Sequence, residues 1–175
     1  GELHSKTNTG KSYWVYASLV PFLNNEGKLY QLISIRTDIT LSKRLEEQNL
    51  ESKNFIQKLT DTMTQGVYAV DRQGLCSFWN KQAEHMLGWS KRDIFMRQIH
   101  DLIVFQDPKN KLINIDDFIL AEHTKTFEAR VRCKNGVTIP VSVTSAPLHE
   151  QNKVIGTVVV FQDISDLKEQ QRLLN

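Results

Sequence analysis

The side chains best suited to chemistry in this sequence are its thiols. Its 175 residues include two cysteines, Cys76 and Cys133, each in a run of strand-forming residues and without a CxxC partner. Redox centres and zinc sites need closely spaced pairs of such ligands. The sequence therefore predicts reduced thiols and no metal site, while a single disulfide between the two stays open.

Motifs for catalysis are missing from the sequence. It has no glycine-rich phosphate loop and no GxSxG, HExxH, kinase or cyclase signature. Of its histidines, His85 belongs to a polar helical segment, His100 to a loop, and His123 to the end of a predicted helix, where a capping or solvated side chain is expected. This pattern favours a chain that is not an enzyme.

Composition excludes two classes of partner. The 22 basic and 20 acidic residues are interspersed and give a formal charge of +2, so no basic stripe points to nucleic acid. Apolar residues make up 40% of the chain, but no run approaches the eighteen needed to span a bilayer. We expect a cytoplasmic globular chain with no direct membrane contact, although a membrane segment in a longer parent protein stays open.

The elements that position these residues are organised around one hairpin. Two strand-like runs, Val67 to Val70 and Leu75 to Trp79, flank the turn sequence Asp-Arg-Gln-Gly. A helical segment follows and is predicted to stop at Gly88. Strand, turn, strand and short helix indicate the opening of an α+β domain.

The end of this domain is repeated at the beginning of the chain. Gly10 to Pro21 and Gly136 to Pro147 each span eleven positions, and both segments close on Asp-Ile-Thr or Asp-Ile-Ser. We interpret them as two copies of one module, the first without its front half. The predicted boundaries are 1–40 for the truncated copy, 41–59 for a connector helix, 60–163 for the full copy and 164–175 for the start of a C-terminal helix.

The connector lacks proline and glycine and is rich in helix formers. Its apolar residues fall near one face, although polar residues interrupt the stripe in the middle. A solvated connector and a dimer helix both remain open. The candidate dimer contacts are Leu41, Leu45, Ile56 and Leu59.

Further elements complete the order of the full copy. Ser90 to Asp93 has the pattern of a capping box, and Asp116 and Asp117 are suited to cap a helix through Ala121. Thr126 to Arg132 then alternates as a strand. The predicted fold is α+β, an antiparallel sheet with helices over one face.

Several motifs in this order resemble the PAS family. They are Trp-Asn-Lys-Gln-Ala from Trp79, Leu-Gly-Trp from Leu87, Lys-Asn-Gly from Lys134, Pro147, and Asp-Ile-Ser from Asp163. The resemblance implies a five-stranded antiparallel sheet and helices that enclose a pocket, as in sensor kinases, cyclases and chemoreceptors. We expect as partners a second copy of the chain, bound through the connector helices, and a downstream output domain on the same chain.

The resemblance allows each family cofactor to be tested. Light-sensing members carry a reactive cysteine where this chain has Met96 to His100, and a glutamine where it has Phe161. Haem-binding members carry an axial histidine where this chain has Asp116 to Leu120, so His123 would serve only after a register shift. Neither cofactor is therefore expected.

Among the family cofactors, a redox-active flavin is the one that best matches the residues of the truncated copy. Its hairpin resembles those of redox-sensing members, in which an aromatic such as Trp14 packs on the flavin while polar groups such as Arg36 meet its edge. Trp14 is equally well read as a core aromatic. The cofactor stays unknown: FAD is allowed in an intact first copy, and the second copy is allowed to be empty. Its candidate pocket residues are Phe78, Asn80, Phe118 and Phe161.

Two functions are compatible with this sequence. The first is a sensory and signal-relay module of a larger signalling protein, in which a ligand or redox state rearranges the flanking helices. The second is a dimerisation and relay module without a ligand of its own.

Overall fold

The structure is a computed structural model that describes residues 1–114 and 121–174. The chain divides into two units, Gly1–Ile56 and a second that runs from Gln57 to the end. Each unit is described by itself. Phe118 and most of the helix predicted from Asp116 to Ala121 lie outside the described residues.

The first unit is a three-stranded antiparallel sheet in the order β1-β2-β3. Its strands are β1 (Glu2–Lys6), β2 (Ser12–Leu23) and β3 (Leu29–Asp38), and helix α1 (Thr40–Asp61) follows and continues into the second unit. Sequence reasoning missed β1, because its residues are mostly polar and only pairing with β2 makes them a strand.

The second unit contains a six-stranded antiparallel sheet in the order β5-β4-β9-β8-β7-β6. This confirms the predicted α+β fold and its five strands, and adds a two-residue strand at one edge. The strands are β4 (Gly66–Asp71), β5 (Cys76–Trp79), β6 (Phe105–Gln106), β7 (Lys125–Arg132), β8 (Thr138–Glu150) and β9 (Lys153–Asp163). The helices are α2 (Lys81–Leu87), α3 (Lys91–Ile94), α4 (Ile99–Leu102) and α5 (Ser165–Leu173).

Local sequence explains most of these boundaries. In the β4–β5 turn the Asp71 carboxylate accepts from the N–H groups of Gln73 and Leu75, and Gly74 adopts φ +78°. Helix α2 ends at Gly88 in the left-handed conformation, as predicted. The predicted capping box at Ser90 is also present.

A charged contact joins α3 to the turn between β7 and β8. Lys134 Nζ lies 2.7 Å from Asp93 Oδ2 and 5.0 Å from the centre of the Trp89 ring. The hydrogen bonds that Lys134 and Ser90 donate lower the pKa of Asp93 to about 2. The Lys-Asn-Gly motif therefore fastens the helical layer to the sheet.

Strand register is the same in the two sheets. Val15 on β2 pairs with Leu3 on β1 and with Asp38 on β3. In the second unit Val141 on β8 pairs with Ala129 on β7 and with Asp163 on β9. The three strands of the first unit and the last three strands of the second therefore pair in the same register relative to the aspartate.

The core of the second unit lies between the sheet and the short helices. Its largest fully buried side chains include Trp79, Tyr68, Phe161 and Leu87. Strand β4 approaches β9 most closely at Gly156, where a Cβ atom would lie 2.2 Å from the Val70 carbonyl oxygen.

Replacing Gly156 with alanine is expected to destabilise the second unit by about 3 kcal/mol, because backbone cannot move aside for the added methyl group. The measurement is urea unfolding followed by fluorescence of Trp79 and Trp89 in a Trp14→Phe background. Gly136→Ala is the control: its φ is +85° but the space around it is open, so strain alone costs about 1 kcal/mol. Equal losses in both variants would contradict the close approach.

Candidate functional site

The candidate site is a small cavity on the buried face of the second sheet. Tyr68, Val159 and Ser145 are neighbours across β4, β9 and β8 and bring their side chains to one side. Phe105, Ile113, Phe127 and Val143 complete the lining. The free volume is about 10 Å³, about what one water molecule occupies.

One polar group in this cavity lacks a hydrogen bond. Ser145 is 2% exposed, and its hydroxyl oxygen has no partner among the described residues. An unsatisfied buried polar group costs about 1 to 3 kcal/mol, so such groups call for an explanation. The Ser145 hydroxyl is the feature of this cavity best able to meet a ligand.

Phe161 is fully buried beside Tyr68, one of the residues that line the cavity. Its ring packs over Gly66, at a spot where a Cβ on Gly66 would come within 2.2 Å of the ring, and lies 6.1 Å from the Tyr68 ring centre. Drug-sized ligands need pockets of about 300 Å³ or more. The free volume of about 10 Å³ between the described lining residues is far below this size.

The two thiols lie outside this cavity lining. Burial raises the pKa of Cys76 to about 11, and it raises the pKa of Cys133 as well. Both cysteines are free and buried, and their burial gives them little thiolate character.

Asn80 is committed to backbone groups. Its Oδ1 accepts from the N–H of Val67 and of Ala83, each at 2.9 Å. Its Nδ2 donates to the carbonyl oxygens of Thr60 at 2.9 Å and Gln65 at 3.0 Å. The side chain, predicted to face a cofactor, instead joins the last turn of α1 to β4 and α2.

The other predicted pocket residue described in this unit points elsewhere. Phe78 is half-buried and pairs with Ala69, on the face of the sheet opposite to Tyr68. Of the predicted set, Phe161 lies beside Tyr68, which lines the cavity, with the two ring centres 6.1 Å apart. Sequence reasoning missed Ser145, because a serine in an alternating strand carries no signal of its own.

In the first unit, Trp14 and Arg36 lie on opposite faces of the sheet. Arg36 pairs with Ala17, three residues after Trp14, so the alternation of side chains separates them. Trp14 instead contacts His4, with ring centres 4.9 Å apart, and lies under Lys43 Nζ at 5.7 Å. The structure does not bring the two predicted flavin contacts to one surface.

Arg36 stands at the position that corresponds to Phe161 in the second unit. It stands two residues before Asp38, as Phe161 stands two residues before Asp163, and the registers coincide. The face that carries Arg36 also carries Leu3 and Leu19, which are 53% and 63% exposed.

The predicted dimer contacts on α1 are all accessible. Leu41 is 71% exposed, Leu45 and Ile56 are each 52% exposed, and Leu59 is 49% exposed. No residue of α1 is buried in this chain. The helix therefore keeps an apolar stripe that the chain itself does not cover.

Comparisons with known proteins identify the family. The family model described as "PAS fold" matches residues 54–164, and one described as "PAS domain" matches residues 1–41. The first match spans more than half of the chain, so the chain belongs to the PAS family.

Individual relatives are distant. The chain is 26% identical over 135 residues to "Sensor protein kinase WalK" of Staphylococcus haemolyticus, which covers 75% of this chain and 21% of that protein. It is 24% identical over 81 residues to "Protein E6 homolog" of Fowlpox virus, 46% of this chain and 14% of that protein. The chain thus spans about a fifth or less of the curated relatives it matches.

Solved structures agree on the fold. A PAS domain from Colwellia psychrerythraea superimposes with a TM-score of 0.54 at 20% identity, covering 67% of this chain and 98% of that one. Among the helices that the structure describes, none combines the length and apolarity required to cross a membrane. Within the same residues, no three acidic, histidine or cysteine side chains cluster as metal ligands.

Replacing Asn80 with alanine is expected to destabilise the second unit by about 3 to 5 kcal/mol, since four backbone groups lose their partner at once. Urea unfolding in the Trp14→Phe background measures it. The control is His85→Ala. His85 is exposed on α2, the helix that Asn80 caps, so this change should alter stability by less than about 0.5 kcal/mol. A small loss in the Asn80 variant would show that the amide is not the junction of these elements.

Proposed function

We propose that the second unit is a non-catalytic relay module of a larger signalling protein of the sensor-kinase type. It passes a change in α1 to α5, and from there to an output domain of the same chain. The attachment of the last turn of α1 through Asn80 carries this proposal. A second bond supports it: Asp61 Oδ1 accepts from the Lys81 N–H at 2.8 Å.

A relay of this kind needs two arrangements of its helices. A signal shifts their populations only through a difference in free energy between them. The bonds from Asn80 and Asp61 are made to elements that lead directly into the sheet, so a movement of α1 has a route to β4 and the strands beside it. A cytoplasmic location and a homodimer through α1 are parts of this proposal.

The first sheet is, in this proposal, the last part of a PAS domain. Leu3 and Leu19 are exposed, whereas their counterparts Ala129 and Ser145 are buried under the helical layer of the second unit. An apolar face of this kind needs a cover. FAD in the completed domain would meet Arg36, while Trp14 would lie on the other side of the sheet.

Direct sensing by the second unit is the other candidate, and the unpaired Ser145 hydroxyl favours it. The ligand would be about the size of a water molecule, because the free volume between the described lining residues is about 10 Å³. An absorption spectrum and a native mass spectrum of the purified chain separate the two functions. Relay predicts a colourless chain of its sequence mass; the added mass of a bound small molecule would support sensing and contradict relay, and flavin bands or a Soret band would contradict both candidates.

Replacing Ser145 with valine tests the cavity. The new methyl group occupies the free volume and removes the unpaired hydroxyl, so relay predicts a gain of about 1 kcal/mol in the free energy of unfolding. The control Ser142→Val changes strand propensity on the outward face alone. If Ser145→Val destabilises the unit while Ser142→Val does not, the hydroxyl has an unrecognised partner and the sensing function gains support.

Charged residues on the apolar stripe of α1 test the homodimer. Leu45→Glu with Ile56→Glu should raise the dissociation constant at least about tenfold in sedimentation equilibrium, without lowering the stability of the second unit. The control pair Leu50→Glu and Asn54→Glu adds the same charge on the opposite face of the helix. An unchanged association state in the first pair would rule out a dimer through this stripe.

A further inference from the structure

The same ion pair occurs in both units, between the helix that follows the sheet and the first strand of the repeated ladder. Lys43 Nζ on α1 lies 2.7 Å from Glu2 Oε2 on β1. Lys168 Nζ on α5 lies 2.5 Å from Glu128 Oε2 on β7.

Register shows that these pairs are equivalent. Glu2 pairs with Tyr16 and Glu128 pairs with Ser142, each one step from the row that ends in the closing aspartate. Each lysine stands five residues after that aspartate, Asp38 or Asp163. Since the rest of each strand differs in sequence, the recurrence of both charges at matched positions indicates a common role.

The start of each helix is also fixed in the same way. Asp38 Oδ1 accepts from the Thr40 N–H at 2.9 Å, and Asp163 Oδ1 accepts from the Ser165 N–H at 2.8 Å. In the second unit the Ile164 N–H then donates to the Pro140 carbonyl on β8. In the first unit the Ile39 N–H donates to the Trp14 carbonyl on β2.

These contacts attach the first turn of each helix to all three strands of its ladder. The last strand leads into the helix covalently, the middle strand accepts a backbone hydrogen bond, and the lysine forms an ion pair with the first strand. A change in the twist between the first and last strands therefore changes the direction in which the helix leaves the sheet.

Stability alone does not explain this arrangement. Half of the Glu128 side chain and more than a third of the Lys168 side chain are exposed, and such pairs are worth about 0.2 to 1 kcal/mol. A weak bond at a fixed position can still decide between two helix orientations that differ little in free energy.

We propose that Lys168 with Glu128, and Lys43 with Glu2, are clamps that set the orientation of the helix leaving each sheet, which makes these four side chains positioning residues for signal output. The role in signal output rests on the proposed relay function. The effect of the ion pair on the direction of α5 relative to β7 does not depend on it.

The test measures the direction of α5 in the full chain. Spin labels at Gln73→Cys and Leu173→Cys, both exposed, report the distance from the β4–β5 turn to the end of the helix by electron resonance. The native cysteines are buried and should label poorly. Lys168→Glu and Glu128→Lys should each broaden or shift the distance distribution, and the double variant, which restores the pair with reversed charges, should return it to that of the parent.

Glu169→Lys is the matched control, since it makes the same charge change as Glu128→Lys on α5 itself. Amide exchange in the first two turns of α5 should rise about threefold in each single reversal and fall back in the double variant. Rescue by reversal is the result that a general loss of packing would not give.

Unchanged distances in both single variants would overturn the clamp, and so would a double variant that fails to restore the parent distribution. Both readouts need no ligand and no output domain. A cofactor found in the purified chain would thus contradict the relay function and leave the clamp standing, while a failed rescue would do the reverse.

Discussion

The side-chain amide of Asn80 is the contact on which the second unit depends most. Its four hydrogen bonds join α1, β4 and α2, which are separate elements of the chain. Each bond adds only about 1 kcal/mol net, but leaving the buried partners unpaired costs more. Because the amide has no bonding capacity to spare, it cannot also serve a ligand.

Because Asn80 attaches α1 to the sheet, the packing of the core bears on how a movement of α1 is transmitted. Phe161 packs over Gly66, and the cavity beside Ser145 has a free volume of about 10 Å³ between the described residues. Close-packed side chains transmit a displacement and do not absorb it. The packing of the described core is therefore compatible with the relay function that we propose.

The repeated ladder extends the same logic to the ends of the units. In both, an aspartate caps the following helix, a backbone hydrogen bond ties that helix to the middle strand, and a lysine reaches a glutamate on the first strand. The side chains of the two sheets differ, but both sheets make these contacts. The way in which the helix is attached is therefore the same in the two units, whereas the residues on the sheet surfaces are not. The sheet face that carries Arg36 differs most, because a charged residue there replaces Phe161.

The sequence alone was sufficient for features set by neighbours along the chain. The turn at Gly74, the end of α2 at Gly88 and the capping box at Ser90 each depend on a few adjacent residues, and all were predicted. The family and the α+β fold followed from the order of such motifs. Tertiary structure decided what depends on pairing across the sheet: β1, the face on which Phe78 and Trp14 lie, and the partners of Asn80. A shift of one residue reverses the face of a whole strand, and the contact between Lys168 and Glu128 joins residues far apart in the chain. Register and long-range contacts of this kind leave no local signal, so only the folded chain fixes them.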